Sequence, residues 1–283
     1  MTAVRLSGKP VAEEVLGEVE AGVRKLVEAG RQRPHLAVVL VGSDPASETY
    51  VRGKHRDAER VGIDSADHRL SQTATTEEVV ALIQRLNADP VVTGVLVQQP
   101  LPPQVDVAAC VEAVDPAKDV DGFHPVNAGR LLLGQPGLRP CTPAGVIRML
   151  DAAGIALEGA HATVVGRSNI VGKPVALLLL ERHATITVCH SRTPDVGAEC
   201  RRAEVLVVAI GRPHFVTADM VKPGAAVVDV GITPGEGGPR GDVDPAVAGV
   251  AGWLTPVPGG VGLMTRAMLM RNTLLAAQAR SRP

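Results

Sequence analysis

The sequence predicts an α/β protein of two parallel-sheet domains with a cleft between them, the second domain Rossmann-like. Three observations predict it. Short runs rich in Val, Leu and Ile alternate with longer helical patterns, as parallel strands joined by crossover helices do. The alternation occurs twice, on either side of a Gly- and Pro-dense stretch at 115–145. In the second round a strand enters a glycine-rich turn and then a helix, HATVVGRSNIVGKPVALLLL.

Each element follows from its residues. Residues 10–29 space apolar side chains three and four apart, an amphipathic helix ended by Gly30. HLAVVLVG, 35–42, is apolar throughout, the pattern of a strand covered on both faces. Pro45 opens a polar helix that stops near Gly62, and a short strand follows near His68 to Leu70. TTEEVVALIQRLNAD begins with Thr and acids, which suit the positive end of a helix. VTGVLVQQPLPP, 93–103, is a strand ended by its prolines. The stretch 115–145 reads as functional loop and linker. A helix then runs from Pro143 to Ala153, followed by the strands HATVVG, ATITVCH, AEVLVVAIG and GAAVVDVGI and a long last helix. The domains expected are 1–140, joined by the C-terminal helix 264–283, and 141–263.

Composition narrows the function. Aromatics make up 1% of 283 residues while the apolar share is 45%, so the core is aliphatic. A net charge of −1 with no long charged run argues against a nucleic-acid partner, and so few rings argue against base stacking. No apolar run approaches the ~20 residues of a membrane helix, and MTAVRLSGKP lacks a signal-peptide stretch. A cytoplasmic protein with no membrane partner is expected. Cys110, Cys141, Cys189 and Cys200 form no CxxC pair and read as small buried hydrophobes, so no metal site is expected. Lysines are scarce (Lys9, Lys25, Lys54, Lys118, Lys173 and Lys222), which makes each of them conspicuous.

The glycine-rich turn places Gly166 at a strand end and Pro174 at a helix start, with Arg167, Ser168 and Gly172 between. Backbone N–H groups at such a positive helix end suit a dinucleotide pyrophosphate. In NAD-binding folds an acid at the end of the next strand takes the ribose hydroxyls. Here that region reads Cys189-His190-Ser191-Arg192-Thr193, with no carboxylate before Asp195. Arg and Ser welcome a 2′-phosphate that an acid repels, so NADP is favoured over NAD. The strand ends AIGRP and VGIT present small residues where a dinucleotide lies flat.

A second polar group sits in the first half. Ser47, Tyr50 and Lys54 follow at spacings of three and four on one helix face, with Arg52, His55 and Arg56 alongside. The start of that helix adjoins a strand's carboxyl end, where open α/β sheets bind ligands. Lys beside Tyr makes a proton-transfer pair, because burial readily lowers a lysine pKa; a solvated helix face is the alternative. Gln98 ends the strand at 93–98, where its amide can orient the lysine without adding charge. Asp121 in KDVDGFHP either pairs with an amidine-like heterocycle edge or makes an Asx-type turn before Gly122. His124 reads as structural rather than as a base. TPVPGGVGLMT, with Pro258, Gly259 and Gly260, is a second backbone segment able to approach a planar ligand.

Taken together, SETYVRGKHRDAERVGI, GVLVQQPLP, KDVDGFHPVNAGRL, PCTPAG, GRSNIVGKP, CHSRT, DVGI, GDVD and TPVPGGVGLMT stand in the order of one family. The chain resembles the bifunctional methylenetetrahydrofolate dehydrogenase/methenyltetrahydrofolate cyclohydrolases over nearly its whole length. The resemblance implies oxidation of methylenetetrahydrofolate with NADP, then hydrolysis to 10-formyltetrahydrofolate, in one-carbon metabolism that serves purine biosynthesis. By motif, Lys54 handles the protons, Tyr50 packs on the folate and aligns Lys54, Gln98 bonds Lys54, and Asp121 anchors the pterin. Gly166, Arg167, Ser168, Ser191 and Ile232 bind NADP, with Arg192 beside them, and Pro258 to Gly260 border the folate. A homodimer is implied. The chain departs from the family's usual residues at Leu263 (Pro), Gln99 (often Leu) and Arg56 (Lys), and Leu263 is expected to reshape the pterin pocket. A dehydrogenase-only enzyme of this fold, a shikimate-type dehydrogenase and a non-catalytic dinucleotide-binding protein are the other readings. Retention of Tyr50, Lys54 and Gln98 argues against the first and the last, and no catalytic Lys–Asp pair for the second is evident in the first half.

Overall fold

A computed structural model describes residues 2–43 and 45–280, with side chains for all of these except 45–50. The elements open with β1 (Val4–Arg5), α1 (Gly8–Glu28), β2 (His35–Val41), α2 (Pro45–Val61), β3 (Asp64–Leu70) and α3 (Thr76–Ala88). Next come β4 (Gly94–Val97), α4 (Val107–Ala113), α5 (Pro125–Leu132) and α6 (Cys141–Ala152). The remainder is β5 (His161–Val165), α7 (Gly172–Glu181), β6 (Thr185–Cys189), α8 (Val196–Arg202), β7 (Val205–Val208), β8 (Ala226–Asp229), β9 (Trp253–Leu254) and α9 (Val261–Ala279), with short 3-10 turns between.

The chain divides into two compact units, Glu14–Cys141 with Arg266–Pro283, and Met1–Glu13 with Thr142–Thr265. It passes from one to the other three times, each time within a helix: α1, α6 and α9.

The unit built on Glu14–Cys141 holds a parallel sheet of order β3-β2-β4. β2 is central and apolar, and Val39, Val79, Ile83, Leu86, Val95 and Cys110 pack into one aliphatic core. Truncating the fully buried Ile83 to Ala costs about 2–5 kcal/mol there. Thr75 and Glu78 close a reciprocal capping box at the start of α3. β3 is longer than the periodicity indicates. Its first residues are polar and partly exposed, and pairing of all seven with β2, not apolar patterning, makes them a strand. The stretch 115–145 also contains a helix, α5, and α4 precedes it. α5 escapes the sequence pattern because it is short and capped by His124, whose Nδ1 accepts the Val126 N–H.

The other unit holds a six-stranded parallel sheet, β1-β9-β8-β7-β5-β6. Val165, Leu206, Val208, Val227 and Val247 lie in its core. Residues 1–13, expected in the folate domain, belong here instead. The Val4 N–H donates to Gly252 and the Leu6 N–H to Leu254, at 2.8 and 2.9 Å, which adds β1 to this sheet. Two-residue strands such as β1 and β9 leave no periodicity to detect.

The order in which successive strands are added reverses between β2 and β4 in one sheet and between β5 and β7 in the other. Ligand crevices of open parallel sheets open outside the strand carboxyl ends at such points. No helix among the described residues is long and apolar enough to cross a membrane.

Candidate active site

The first reversal point holds a buried amine. Lys54 on α2 is buried, and its Nζ donates to Gln98 Oε1 at 2.8 Å, one residue beyond β4. The Gln98 N–H donates to Val39 O at 3.0 Å, continuing the sheet ladder, and its side-chain amide donates to Gln99 O. Both ends of Gln98 are therefore fixed. Burial pushes the Lys54 pKa below the usual lysine value; Asp121 and Cys141 oppose this, and the Arg266 guanidinium adds to it. Arg266 on α9 is held by Asp57 at 3.0 Å. Gly53 allows that approach, since a Cβ there would collide with the guanidinium.

Asp121 belongs to the same electrostatic group. Burial pushes its carboxyl up to about 7, with Lys54 pulling it down and Asp119 adding to the rise. The Asx-type turn is made by its neighbour. Asp119 Oδ1 accepts the N–H groups of Gly122 and Phe123, and Oδ2 accepts those of His124 and the Asn127 amide. Asp119 thus shapes the loop, and the Asp121 carboxyl faces the field of Lys54. The His124 Nε2 lies 3.3 Å from Glu112 O, so both ring nitrogens serve structure. Tyr50 stands one helical turn before Lys54 on α2, but its side chain, like that of Ser47, lies outside the described residues.

At the β5/β7 reversal a cavity of about 460 Å³ is lined by Gly166, Arg167, Ser191, Ile210, Arg212 and Phe215, among others. Gly166 has φ +122°, and a Cβ on Gly172 would run into Gly166 O, so this turn demands glycine at both positions. Its N–H groups are less available than the sequence suggests. Ser168 Oγ accepts those of Val171 and Gly172, and Ser168 O accepts that of Lys173. What the turn presents outward is the exposed side chains of Arg167 and Ser168. Ser191 and Arg192 are exposed beyond β6. Asp195, the first carboxylate there, is occupied in capping α8 through the Ala198 N–H at 2.8 Å. Among the described residues, no acid lines this cavity.

Ile232 is an exposed apolar side chain just past β8, 45% accessible. Pro258, Gly259 and Gly260 belong to this same unit rather than to that of Lys54. Gly259 has φ +101°, and its carbonyl accepts the Gly8 N–H at 3.0 Å. Leu263 lies in the first turn of α9 and donates its N–H to Gly260 O at 3.3 Å.

The family model of the tetrahydrofolate dehydrogenase/cyclohydrolase catalytic domain matches residues 6–121, and that of the family's NAD(P)-binding domain matches 140–281. The chain belongs to the tetrahydrofolate dehydrogenase/cyclohydrolase family. Among curated members, it is 56% identical to the bifunctional protein FolD of Acidiphilium cryptum, covering 99% of this chain and all of that one. It is 54% identical to the FolD of Halothermothrix orenii over 96% of each. The bifunctional FolD methylenetetrahydrofolate dehydrogenase/cyclohydrolase of Campylobacter jejuni superposes with TM-score 0.95 at 44% identity, over 98% and 99% of the two chains. The Trypanosoma brucei FolD, solved with NADP and an inhibitor, gives 0.95 at 36% over the full length of both.

For a tetrahydrofolate dehydrogenase/cyclohydrolase, three residues gain interest that the sequence does not single out for the site. Arg266 is remote in sequence from Lys54, and nothing in its local pattern signals the proximity. Cys141 is buried and its thiol is held well above its usual pKa, as expected of a small hydrophobe, yet it shares the field of Lys54 and Asp121. Arg212 packs its guanidinium 4.9 Å from the Phe215 ring centre at the wall of the β5/β7 cavity.

Proposed function

We propose that this chain oxidises methylenetetrahydrofolate with NADP and hydrolyses the methenyl product to 10-formyltetrahydrofolate. The observation that carries this is the buried Lys54 amine, bonded to a fixed Gln98 with Asp121 in its field, in a member of this family. The cavity at the β5/β7 reversal suits NADP. It has a glycine cradle that no Cβ fits, Arg and Ser on its walls and no acid to repel a 2′-phosphate. Bound NADP supplies the hydride acceptor.

The remaining chemistry falls to the protein. Burial and Arg266 favour the neutral amine of Lys54, which donates one hydrogen to Gln98 and keeps its lone pair for a proton. When water adds to the methenyl carbon, Lys54 takes the proton released as the C–O bond forms. It returns that proton to the folate nitrogen as the ring C–N bond breaks, and the adduct's hydroxyl proton leaves to solvent as the formyl C=O forms. A methenyl cation nearby further disfavours the ammonium form. The Asp121 carboxylate accepts N–H bonds from the pterin amidine edge, and Tyr50 packs on the folate. Arg167, Ser168, Ser191, Arg192 and Ile232 hold the dinucleotide.

The unit carrying Lys54 is read as the folate-binding domain and the other as the NADP domain. The resemblance also supports a homodimeric, cytoplasmic enzyme whose formyl product serves purine synthesis; light scattering at monomer mass would contradict the dimer. Incubation with methylenetetrahydrofolate and NADP, following NADPH, methenyl and formyl products separately, tests the two activities. NADPH formed without formyl product would replace this reading with the dehydrogenase-only one.

A further inference from the structure

Two buried carboxylates near the dinucleotide cavity have no part in the chemistry above. Asp229 ends β8, and its oxygens accept the N–H groups of Gly231, Asp242 and Val243 at 2.9–3.0 Å. Asp242, held in this way, is fully buried and sends Oδ2 to the consecutive N–H groups of Ile210 and Gly211, at 2.7 and 2.9 Å. Gly211 has φ +65°, and the paired N–H groups converge on a single oxygen, the arrangement of an anion-binding nest. Dinucleotide folds offer such N–H groups to phosphate. Here the protein's own carboxylate fills them.

We propose that Asp242 is a positioning residue for the dinucleotide: it occupies the nest beyond β7 and so fixes the cavity wall on which the cofactor rests. Ile210 and Arg212, on either side of the bonded Gly211, both line that cavity. The contact also reaches the neighbouring strand end. A Cβ on Gly231 would overlap the Asp242 carboxyl group, so the Gly231 backbone packs directly on Asp242, one residue before Ile232. One carboxylate therefore sets the two strand ends, AIGRP and VGIT. Its Oδ1 has no hydrogen-bond partner among the described residues. A buried carboxylate oxygen left unpaired opposes folding, so stability alone is a poor reason for the group. An aim at the N–H pair explains it.

This inference rests on the reading of the cavity as the dinucleotide site. The test compares Asp242→Ala with Asp242→Asn, measuring NADP binding by direct titration and methenyl hydrolysis without NADP. Hydrolysis uses no nicotinamide, and Lys54, Gln98 and Asp121 lie in the other unit. Asp242→Ala is expected to weaken NADP binding about tenfold, the equivalent of one lost charge-assisted contact, and to leave hydrolysis within about twofold. Asp242→Asn keeps an acceptor oxygen for both N–H groups and is expected to restore most of the affinity. Unaltered NADP binding in Asp242→Ala overturns the proposal, as does parallel loss of binding and hydrolysis in both variants. Absence of NADP binding by the wild type overturns the reading of the cavity along with it.

Discussion

Lys54 on a helix and Gln98 at the end of the neighbouring strand meet at 2.8 Å, and the glutamine is anchored at both ends by backbone groups. The amine is thus held by a neutral acceptor that does not stabilise its charge as a carboxylate would. Lys54→Met keeps much of the side chain's bulk and removes the proton carrier. Its methenyl hydrolysis is expected to fall at least about a hundredfold, the usual scale of general acid–base catalysis, with NADP affinity retained. Hydrolysis at the wild-type rate would remove Lys54 from the mechanism.

Gln98→Ala leaves the amine in place without its acceptor. Hydrolysis is expected to drop about tenfold or more, mainly in kcat, because the lost contact orients the lysine rather than the folate. Gln98→Glu should act differently: a carboxylate beside Lys54 raises the lysine pKa, and the pH profile of hydrolysis should move to higher pH. An unmoved profile would argue against the contact.

Asp121 titrates near 7, above its ordinary value near 4. In the proposed folate site its anionic form accepts the pterin N–H groups, so folate affinity should rise with pH through about 7. Stability runs the other way. The folded state holds the Asp121 proton more tightly than the unfolded chain, so this residue's contribution is complete below pH ~4 and is lost as pH rises to about 7. Asp121→Asn should therefore flatten both trends, measured as folate KM and Tm between pH 4 and 8. Equal slopes in variant and wild type would refute the assignment.

Asp119 accepts four N–H bonds from Gly122, Phe123, His124 and Asn127. Asp119→Ala strands these donors and should destabilise the protein by about 1–3 kcal/mol or more. Folate KM should rise with it as Asp121 loses its place. A thermal melt and a KM measured well below the variant's Tm separate the two effects, and a KM unchanged under those conditions would limit Asp119 to stability.

NADP should bind more tightly than NAD, since Asp195 is committed to the α8 cap and the cavity has no acid on its walls. Replacing both Ser191 and Arg192 by Ala should narrow the difference by about tenfold, as loss of a charge-assisted phosphate contact does. Paired titrations with the two dinucleotides give the ratio directly, and a ratio near one in the wild type would end the argument.

How legible a residue is in the sequence depends on where it sits. Lys54 and Gln98 occupy a regular helix and a strand end, so spacing offers one crevice for both beside the alternative of a solvated helix face, and the 2.8 Å bond between them decides it. Asp119 and Asp121 are two apart in an irregular loop, and only the fold decides which of them closes the turn. Arg266 acts on Lys54 through its charge from the last helix, a proximity no local pattern encodes. β3 is half hidden because an edge strand need not be apolar. The turn at 166–172 is evident from its glycines, but Ser168's capture of its N–H groups depends on a side-chain rotamer that spacing cannot supply.

The three helical crossings between the units have a genetic consequence. Because each unit is assembled from two separate stretches of chain, no single uninterrupted gene fragment encodes either of them. Truncation just before Arg266 would take most of the last helix from the Lys54 unit while sparing the whole of the other unit, and loss of residues 1–13 would do the reverse. Removal of residues 1–13 or of 266–283 is therefore expected to damage opposite units, which makes such truncation a poor way to isolate one activity and point substitution the better one.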